Sequence, residues 1–354
     1  MESKRPFSPP QNSGHVVYND MVLVRVITTE GMVGIAEAPV RQQIYGETHQ
    51  SIVAAIQDFL SPMLIGMDVF EMEAIHAAMD IMPANNTAKA AIDIALHDLI
   101  GKKLGMPLWR LLGGYSEKPV QVSWMVAVKD ASAMADECAR MQAEHGINAF
   151  KIKSGIDPEA DFENFSAIRN SVGDKATLYI DGNQGYTLGE VVETVQRLAP
   201  LGLAWVEEPC KVSHQAQRKQ VAKSLPVPVL GDESCFTPED VCRELAAETV
   251  GIVSVKVART GFYKSRKIIN LCEQAGIPCL IGSQGDSSIG AAAALHLAAA
   301  YRNIVPPAEV SYHLRMTDEV LKKPLGVKDG AIQIPDGPGL GIEIDEAVFQ
   351  RVKR

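Results

Sequence analysis

Charged residues close a series of apolar segments at nearly equal intervals in the middle of the chain. In chain order they are Lys153, Asp181, Glu207, Asp232 and Lys256, with spacings of 28, 26, 25 and 24 residues. An interval of this length accommodates one strand, one helix and two loops, so the run predicts successive βα units of one parallel sheet. Active sites lie at the C-terminal ends of parallel barrel strands. The five residues are therefore candidates for chemistry.

Three of these residues are carboxylates on adjacent predicted strands. Asp181, Glu207 and Asp232 are expected to converge at the barrel mouth, where mutual repulsion raises their pKa values unless a cation lies between them. A cluster of oxygen ligands favours Mg²⁺ or Mn²⁺ over zinc. The alternative for each carboxylate is that it caps the next helix or pairs with a surface lysine. Three carboxylates at matched strand ends favour the metal.

The other two residues are lysines on the second and sixth predicted barrel strands. In a closed barrel Lys153 and Lys256 face each other across the mouth, so a substrate held on the metal presents one face to each lysine. A lysine acts as a base only when its pKa is lowered, which burial and a neighbouring cation both do. Lys151, on the same side of its strand as Lys153, is one source of that charge. The alternative is that the lysines are solvated or bind phosphate.

The segments before this run predict a smaller first domain. Alternating apolar residues at 21–27 and 32–38 predict a β-hairpin, and a polar loop carrying Arg41 and Tyr45 follows it. His97 lies among apolar positions of a predicted helix and is interpreted as structural. Periodicity and capping signals predict helices over 48–60, 68–81 and 88–104, with a short helical turn over 108–112.

The rest of the chain predicts an eight-stranded barrel. Its strands are predicted at 120–128, in the five segments ending at residues 153, 181, 207, 232 and 256, and at 277–281 and 304–309. Alternating βα units need a parallel sheet and eight of them close, so we predict an α/β fold, a (β/α)₈-type barrel. A strand and a turn-rich tail over 326–341 are expected to return to the first domain. The predicted division is 1–115 for an α+β capping domain, 116–318 for the barrel and 319–354 for the C-terminal segment.

The composition narrows the class of protein. A 354-residue chain that is 46% apolar and 22% charged is typical of soluble globular proteins. A net charge of −9 without a long basic run disfavours nucleic acid as a partner, and no apolar stretch approaches the roughly 20 residues of a membrane helix. Six cysteines without CxxC spacing suit reduced thiols. We expect a cytoplasmic homo-oligomer that acts on a small carboxylate and binds neither nucleic acid nor membrane.

Short motifs surround the candidate residues in a fixed order along the chain. They are Lys151-Ile152-Lys153, Asp181-Gly182-Asn183, Trp205-Val206-Glu207-Glu208-Pro209, Gly231-Asp232-Glu233-Ser234 and Val255-Lys256. Further matching segments are 31–37, 45–48, 91–98, 111–114 and 335–341. Each motif is weak alone, but the ordered set resembles the enolase superfamily, in its muconate lactonizing enzyme subgroup, over nearly the whole chain.

This resemblance implies both the architecture and the roles of the charged residues. It implies an α+β capping domain over a modified barrel, with metal ligands at Asp181, Glu207 and Asp232. It also implies that Lys153 and Lys256 are the acid and base and that Lys151 tunes Lys153. Substrate contacts are expected from Arg41, Tyr45, Asn183, Asp286 and His313, of which His313 has a structural position as its alternative.

The sequence departs from the family pattern in three places. The family usually begins with one more strand before the segment from Lys4 to Phe7, so the capping sheet is expected to be a strand short. Asp286 stands where many relatives have glutamate. The predicted eighth strand, 309–313, lacks the Asp-x-Asp of dipeptide epimerases, which makes dipeptides a poor expectation as substrates.

The step shared by this superfamily is removal of a proton α to a carboxylate, giving an enediolate that the metal stabilises electrostatically. Two opposed lysines allow reprotonation on the other face, which is racemisation or epimerisation. We expect an isomerase of this kind, acting on an amino acid derivative, with cycloisomerisation of a muconate-type acid and dehydration of a small hydroxy acid as alternatives. A non-catalytic carboxylate-binding barrel is a further alternative of a different class.

Overall fold

The computed structural model describes residues 20 to 353. The predicted arm over 1–19, and with it the question of a strand before Lys4, lies outside the described residues. The other predicted elements all fall within the described part of the chain, which consists of a capping region, a barrel and a tail.

The capping region contains the predicted hairpin and helices. Strands β1 (Met21–Ile27) and β2 (Val33–Pro39) pair antiparallel over their whole length. The helices are α1 (Gln42–Tyr45), α2 (His49–Ala54) with a π-helical continuation (Ala55–Leu60), α3 (Ser61–Leu64), α4 (Met72–Asp80), α5 (Asn86–Leu104) and α6 (Leu108–Leu112). Helix α4 begins later than predicted, because the Asp68 side chain accepts a hydrogen bond from Phe70 N and holds a turn there.

Helix α5 is the element on which the hairpin and the barrel meet. Gly34 on β2 approaches it so closely that a Cβ at this position would lie 2.0 Å from the backbone oxygen of Ala95, so only glycine fits. In the same part of the helix, Asp93 accepts hydrogen bonds from the backbone N–H groups of Phe262 and Tyr263 in the barrel. Helix α5 therefore fixes the capping hairpin in relation to the barrel.

The barrel sheet has seven parallel strands in sequential order. A short strand, β3 (Val120–Gln121), precedes it in the chain. The barrel strands are β4 (Trp124–Val126), β5 (Ala149–Lys153), β6 (Thr177–Asp181), β7 (Leu203–Glu207), β8 (Val229–Gly231), β9 (Ile252–Val255) and β10 (Cys279–Ile281). The outer helices are α7 (Ala131–His145), α8 (Pro158–Val172), α9 (Leu188–Leu198), α10 (Gln215–Ser224), α11 (Pro238–Ala247), α12 (Val257–Gln274) and α13 (Ser288–Ala300). The predicted α/β barrel is confirmed.

The eighth barrel position differs from the prediction, because 304–309 is not a regular strand. This segment bridges β10 through Cys279↔Ile304 and the first barrel segment through Val122↔Ala308. Pro306 and Pro307 lie in the middle of it, and proline has no N–H to donate to a ladder. The segment therefore completes the ring of eight positions through isolated bridges and backbone hydrogen bonds, without a regular strand.

The first predicted strand and the predicted tail strand also differ from the structure. The range 120–128 divides into β3 and β4, which belong to different sheets. The tail forms a hairpin, β11 (Val327–Lys328) and β12 (Ala331–Ile332), and β12 pairs antiparallel with β3. Asp329 and Gly330 both have positive φ, as a two-residue hairpin turn requires. Beyond it the tail ends in α14 (Glu346–Val352).

The tail contacts the capping region as predicted. Leu340 N donates to Asp98 Oδ1 on α5 over 2.8 Å, and Leu108 N donates to Gly339 O over 3.0 Å. None of the six cysteines forms a disulfide, and all but Cys242 are buried. Among the described residues, no helix is long and apolar enough to cross a membrane.

Candidate active site

Adjacent strands bring the predicted acids and lysines together at one end of the barrel. Lys153 is paired in register with Asp181, and Asp181 with Glu207, at the last positions of β5, β6 and β7. Asp232 and Lys256 directly follow β8 and β9. Since β5 and β9 are four positions apart in a ring of eight, the two lysines lie on opposite sides of the three carboxylates.

Lys151 lies beneath this cluster and is surrounded by acids. Its Nζ is 2.7 Å from Glu207 Oε1, 3.0 Å from Asp181 Oδ2 and 3.0 Å from Glu309 Oε2. Burial alone lowers the pKa of Lys151, but Asp181, Glu207 and Glu309 outweigh it and raise the pKa well above its usual value. Lys151 is therefore a fixed cation and not a proton acceptor, and its predicted role in tuning Lys153 stays a prediction.

Lys153 is held by one carboxylate and one amide. Its Nζ donates to Asp181 Oδ2 and to Asn183 Oδ1, each over 2.6 Å. The Asn183 amide group donates in turn to Glu233 Oε1 over 3.0 Å. The Asn183 side chain is thus bonded at both ends by protein groups, and its contact with substrate stays a prediction.

Lys256 is held by Asp232, and Arg259 takes the other oxygen of the same carboxylate. Lys256 Nζ contacts Asp232 Oδ2, and Arg259 Nη1 lies 2.7 Å from Asp232 Oδ1. Burial lowers the pKa of Lys256, but the charge of Asp232 outweighs it, so the pKa is raised. Lys256 with these partners alone therefore lacks the lowered pKa that is expected of a catalytic base, since an ion pair favours the protonated lysine.

The carboxylates differ sharply in electrostatic state. Burial raises the pKa of Asp181, but Lys151 and Lys153 outweigh it and bring the pKa to about 2. Burial and the neighbouring charge of Asp181 raise the pKa of Glu207 well above its usual value. Burial and the charge of Asp232 raise the pKa of Glu233 to about 8. The cluster thus holds more carboxylates than its cations neutralise.

The donor set suits a hard divalent cation. Glu207 is fully buried and its Oε2 has no hydrogen-bond partner, so one carboxylate oxygen is free for a cation. Carboxylate oxygens are ligands that Mg²⁺ prefers. Between residues 20 and 353, however, no three His, Cys, Asp or Glu side chains already converge closely enough to hold a metal. The oxygens of Asp181 and Asp232 contact ammonium and guanidinium groups instead, so a metal has to compete with these ion pairs.

The capping loop contacts the site through Arg41 and Tyr45. Arg41 donates to the backbone oxygens of Gln284 over 2.6 Å and Gly285 over 3.1 Å. Tyr45 bonds the Gln284 side chain and packs edge-on against Phe236, with ring centroids 5.1 Å apart. Arg41, a predicted substrate contact, thus bonds backbone carbonyls, and its contact with substrate stays a prediction. The two residues hold the loop after β10 in place.

Asp286 lies in that loop and retains one unpartnered oxygen. Its Oδ2 accepts from Ser283 Oγ over 2.8 Å and from Gln284 N over 3.1 Å, whereas its buried Oδ1 has no partner. Glu37 on β2 lies beside it and accepts from Ser287 N over 2.8 Å. Burial and the charge of Asp286 raise the pKa of Glu37 to about 7.

The two histidines singled out by sequence occupy structural positions. The ring nitrogens of His313 lie 3.0 Å from Val310 O and 2.8 Å from Leu325 O, so neither is available to a substrate. These contacts favour the structural alternative for His313, and its pocket role stays a prediction. His97 Nδ1 lies 2.9 Å from Asp93 O on its own helix, as expected of a structural histidine.

Sequence reasoning missed three members of the network. Glu309 ends the eighth barrel segment, so the rule that found the other acids would have included it. Arg259 follows Lys256 by three residues and lies in the first turn of α12, close in the chain to a residue that had been singled out. The contact of Glu233 with Asn183 crosses from one βα unit to another, and no local pattern signals it.

Comparisons with known proteins agree with this geometry. The family model for the mandelate racemase/muconate lactonizing enzyme N-terminal domain matches residues 2–113. A second family model, enolase C-terminal domain-like, matches residues 133–348. The crystal structure of muconate lactonizing enzyme from Mycobacterium smegmatis with muconolactone is 38% identical, with a TM-score of 0.91 over 94% of this chain and 91% of that chain.

Two further relatives catalyse epimerisation or racemisation. The N-succinyl-L-Arg/Lys racemase of Bacillus cereus is 30% identical over 95% of this chain and 91% of its own. The dipeptide epimerase of Enterococcus faecalis, solved with Mg and the dipeptide L-Leu-L-Tyr, is 32% identical with a TM-score of 0.87 over 92% of each chain. The chain therefore belongs to the mandelate racemase/muconate lactonizing enzyme family of the enolase superfamily and is an isomerase of that superfamily.

Proposed function

We propose that this isomerase racemises or epimerises an amino acid derivative by proton transfer at the carbon α to its carboxylate. The observation that carries the proposal is the pair of opposed lysines. Lys153 and Lys256 lie on opposite sides of one carboxylate cluster, and each nitrogen reaches a different member of it. One lysine can then remove the α-proton from one face while the other delivers a proton to the opposite face.

We propose Asp181, Glu207 and Asp232 as the ligands of Mg²⁺ or Mn²⁺. Support comes from the unpartnered oxygen of Glu207, the surplus of buried negative charge and the Mg in the Enterococcus faecalis epimerase structure. The metal, when bound, supplies electrostatic stabilisation of the charge that develops on the substrate carboxylate. Competition for the oxygens of Asp232 would also weaken the ion pair that raises the pKa of Lys256.

The remaining charged residues support this exchange without taking part in it. Lys151 stays protonated among three acids and adds positive charge beneath Lys153. Arg259 holds one oxygen of Asp232 and is anchored on the backbone oxygens of Cys235 and Ser254. Their positions keep the acids and the lysines in a fixed arrangement.

The pocket groups that already have partners support one substrate class over another. On the eighth segment, Glu309 bonds Lys151 and Tyr179, and Ser311 Oγ donates to Ser123 O over 2.6 Å. Neither side chain is available for the ammonium group of a dipeptide. We therefore favour N-acylated amino acids over dipeptides, in agreement with the relation to the N-succinyl-amino-acid racemase.

The experiment is α-proton exchange in deuterated water. N-acylated amino acids, hydroxyprolines, their betaines and muconate are screened with Mg²⁺ present. For a racemase, both enantiomers of a substrate acquire deuterium at the α-carbon. Lys153→Ala should stop exchange from one enantiomer and Lys256→Ala from the other, and either variant should stop racemisation. Normal product formation in both variants contradicts the two-lysine mechanism.

The second candidate is a cycloisomerase of a muconate-type acid. The 38% identity with muconate lactonizing enzyme favours it. Only one lysine then handles the proton, so the two alanine variants should differ: one loses turnover entirely and the other retains part of it. Dehydration of a small hydroxy acid ranks third.

Three coarser expectations belong to the same proposal. We propose a cytoplasmic homo-oligomer without nucleic-acid or membrane partners, and domain boundaries near residues 115 and 318. Light scattering of the purified protein measures the oligomeric state. Limited proteolysis checks the boundaries, since cleavage should concentrate at exposed segments between domains.

A further inference from the structure

We propose that Asn183 and Glu233 form a positioning pair that holds Lys153 in place for proton transfer, an inference that rests on the proposed two-lysine reaction. The three side chains form one chain of contacts across three strands. Glu233 Oε1 accepts from Asn183 Nδ2 over 3.0 Å, and Asn183 Oδ1 accepts from Lys153 Nζ over 2.6 Å. Neither Asn183 nor Glu233 is among the proposed metal ligands.

The backbone of Asn183 is shaped for this contact. Its φ of +39° lies in the left-handed region, which asparagine tolerates better than most residues. Its N–H donates to Asp181 Oδ1 over 3.0 Å, so the turn after β6 is fixed by the same carboxylate that Lys153 contacts. The side chain is thereby directed to Lys153 and Glu233.

Glu233 determines which end of the Asn183 amide faces the lysine. An amide has an acceptor oxygen on one side and a donor NH₂ on the other. Glu233 Oε1 accepts from the NH₂ side of the amide, and the amide oxygen faces the Lys153 ammonium. Without Glu233 the NH₂ side of the amide loses its acceptor, so the Lys153 ammonium alone holds the amide.

The two lysines depend on the metal ligands to different degrees. Among the described residues, Asp232 is the one side chain that accepts a hydrogen bond from Lys256, and Asp232 is a proposed metal ligand. Lys153 contacts the proposed ligand Asp181 and also Asn183, which is not a ligand. A metal that takes the Asp181 oxygen therefore leaves Lys153 with one fixed partner. Loss of the pair should harm the Lys153 face of the reaction and spare the Lys256 face.

The test compares α-deuterium exchange from the two enantiomers at saturating Mg²⁺. Glu233→Met removes the acceptor, and Asn183→Gly removes the amide while tolerating the positive φ and keeping the backbone N–H. Each variant should slow exchange on the Lys153 face by about tenfold or more, because small displacements of a catalytic group have large effects on rate. Exchange on the Lys256 face should stay within about threefold of the wild type. Lys153→Ala identifies which enantiomer reports on which face.

Two further variants separate positioning from general damage. Glu233→Gln retains an oxygen that accepts from Asn183 and should restore the exchange lost in Glu233→Met. Glu239→Met is the matched control, because Glu239 is an exposed glutamate on α11, and it should leave both faces unaffected. Mg²⁺ affinity, measured by calorimetry, should change little in Asn183→Gly, since all three carboxylates remain.

Any other result contradicts one specific part of the proposal. Equal loss on both faces, or no loss on either, contradicts the positioning role. Failure of Gln to restore exchange contradicts the orientation of the amide by Glu233. If the wild-type enzyme exchanges neither enantiomer of any substrate in the panel, the proposed function itself fails and the inference fails with it.

Discussion

On helix α5, Asp93 and Asp98 are buried and every carboxylate oxygen accepts a hydrogen bond, whereas Glu207 at the barrel mouth is equally buried and one of its oxygens has no partner. Asp93 accepts from His76 and from two backbone N–H groups of α12. Asp98 accepts from Ile35 N, Leu340 N and Lys102 Nζ over 2.7 to 2.9 Å. Buried carboxylates thus have hydrogen-bond partners for every oxygen in one region and lack one in the other.

The difference separates carboxylates that hold the fold together from carboxylates that are available for chemistry. Burial raises the pKa of Asp93, but His97 and His76 outweigh it and lower the pKa, so the folded state favours its charge. Burial and Asp181 raise the pKa of Glu207, so the folded state opposes its charge. Groups with perturbed pKa values, whose buried charge reduces the stability of the fold, concentrate at functional sites, because a bound ligand offsets that cost.

The largest expected effect is on turnover when the unsatisfied carboxylate is neutralised. Glu207→Gln should lower kcat/KM by at least about 10³-fold, because the metal loses a charged ligand and the developing negative charge loses its stabilisation. Its free energy of unfolding without metal should equal or exceed that of the wild type, since a repulsive buried charge is removed. Kinetics and urea unfolding measure the two quantities. Near-normal turnover would mean that the cluster is misassigned, and Asp181→Asn should show the same loss.

Removal of the metal tests the same cluster without mutation. Chelation should abolish activity and Mg²⁺ should restore it, because the oxygen ligands suit a hard cation. Mg²⁺ at 100 times its Kd should stabilise the folded protein by about 2.7 kcal/mol, and this gain should disappear in Asp181→Asn. Calorimetric melting with and without Mg²⁺ checks it. Full turnover after exhaustive chelation would exclude the metal.

On the satisfied side of the comparison, loss should appear in stability and not in chemistry. Asp93→Ala leaves His76 and the backbone N–H groups of Phe262 and Tyr263 without their acceptor, so the free energy of unfolding should fall by about 3 to 5 kcal/mol. At low temperature, where the variant stays folded, its kcat should remain within a few-fold of the wild type. Asp136→Ala, at an exposed position on α7, is the control and should change neither. A selective loss of kcat in Asp93→Ala would contradict the assignment.

The sequence predicts the barrel and its charged strand ends well because both depend on local periodicity. Apolar runs of strand length that end on Lys153, Asp181 and Glu207 are read directly, and the structure ends β5, β6 and β7 at these residues. The prediction of strands fails where the sheet to which a segment belongs depends on partners that are distant in the chain. The segment that contains Val120 and Trp124 reads as one strand in the sequence. In the structure Val120 pairs with the tail hairpin and Trp124 with β5, and nothing in the local sequence indicates this division.

The partners of the site residues are less predictable than the residues themselves. Arg41, Asn183 and His313 have the right chemistry to contact a substrate, yet backbone oxygens or neighbouring side chains occupy them. Those neighbours come from other βα units, so their proximity follows from the closed barrel and not from spacing in the chain. A list of polar residues near a barrel mouth therefore needs a hydrogen-bond partner for each before it becomes a list of substrate contacts.

The smallest expected effect concerns Glu37, a buried carboxylate between the two extremes. It accepts hydrogen bonds from Ser287, but burial and the charge of Asp286 raise its pKa from 4.5 to about 7, although Arg41 lies near. Between these two pKa values the unfolded chain has lost the proton and the folded chain still holds it. Stability contributed by Glu37 is therefore present below pH 4.5, falls as the pH rises to about 7, and is constant above that.

Glu37→Gln removes this titration and isolates its effect. The difference in unfolding free energy, variant minus wild type, should increase by on the order of 2 to 3 kcal/mol between pH 4.5 and pH 8, with nearly all of the increase below pH 7.5. Urea unfolding at four or five pH values measures it, and any loss of Ser287 contacts adds a constant that does not depend on pH. A difference that stays flat across this range would show that Glu37 is ionised in the folded protein at pH 5, and would place it with the satisfied carboxylates of α5.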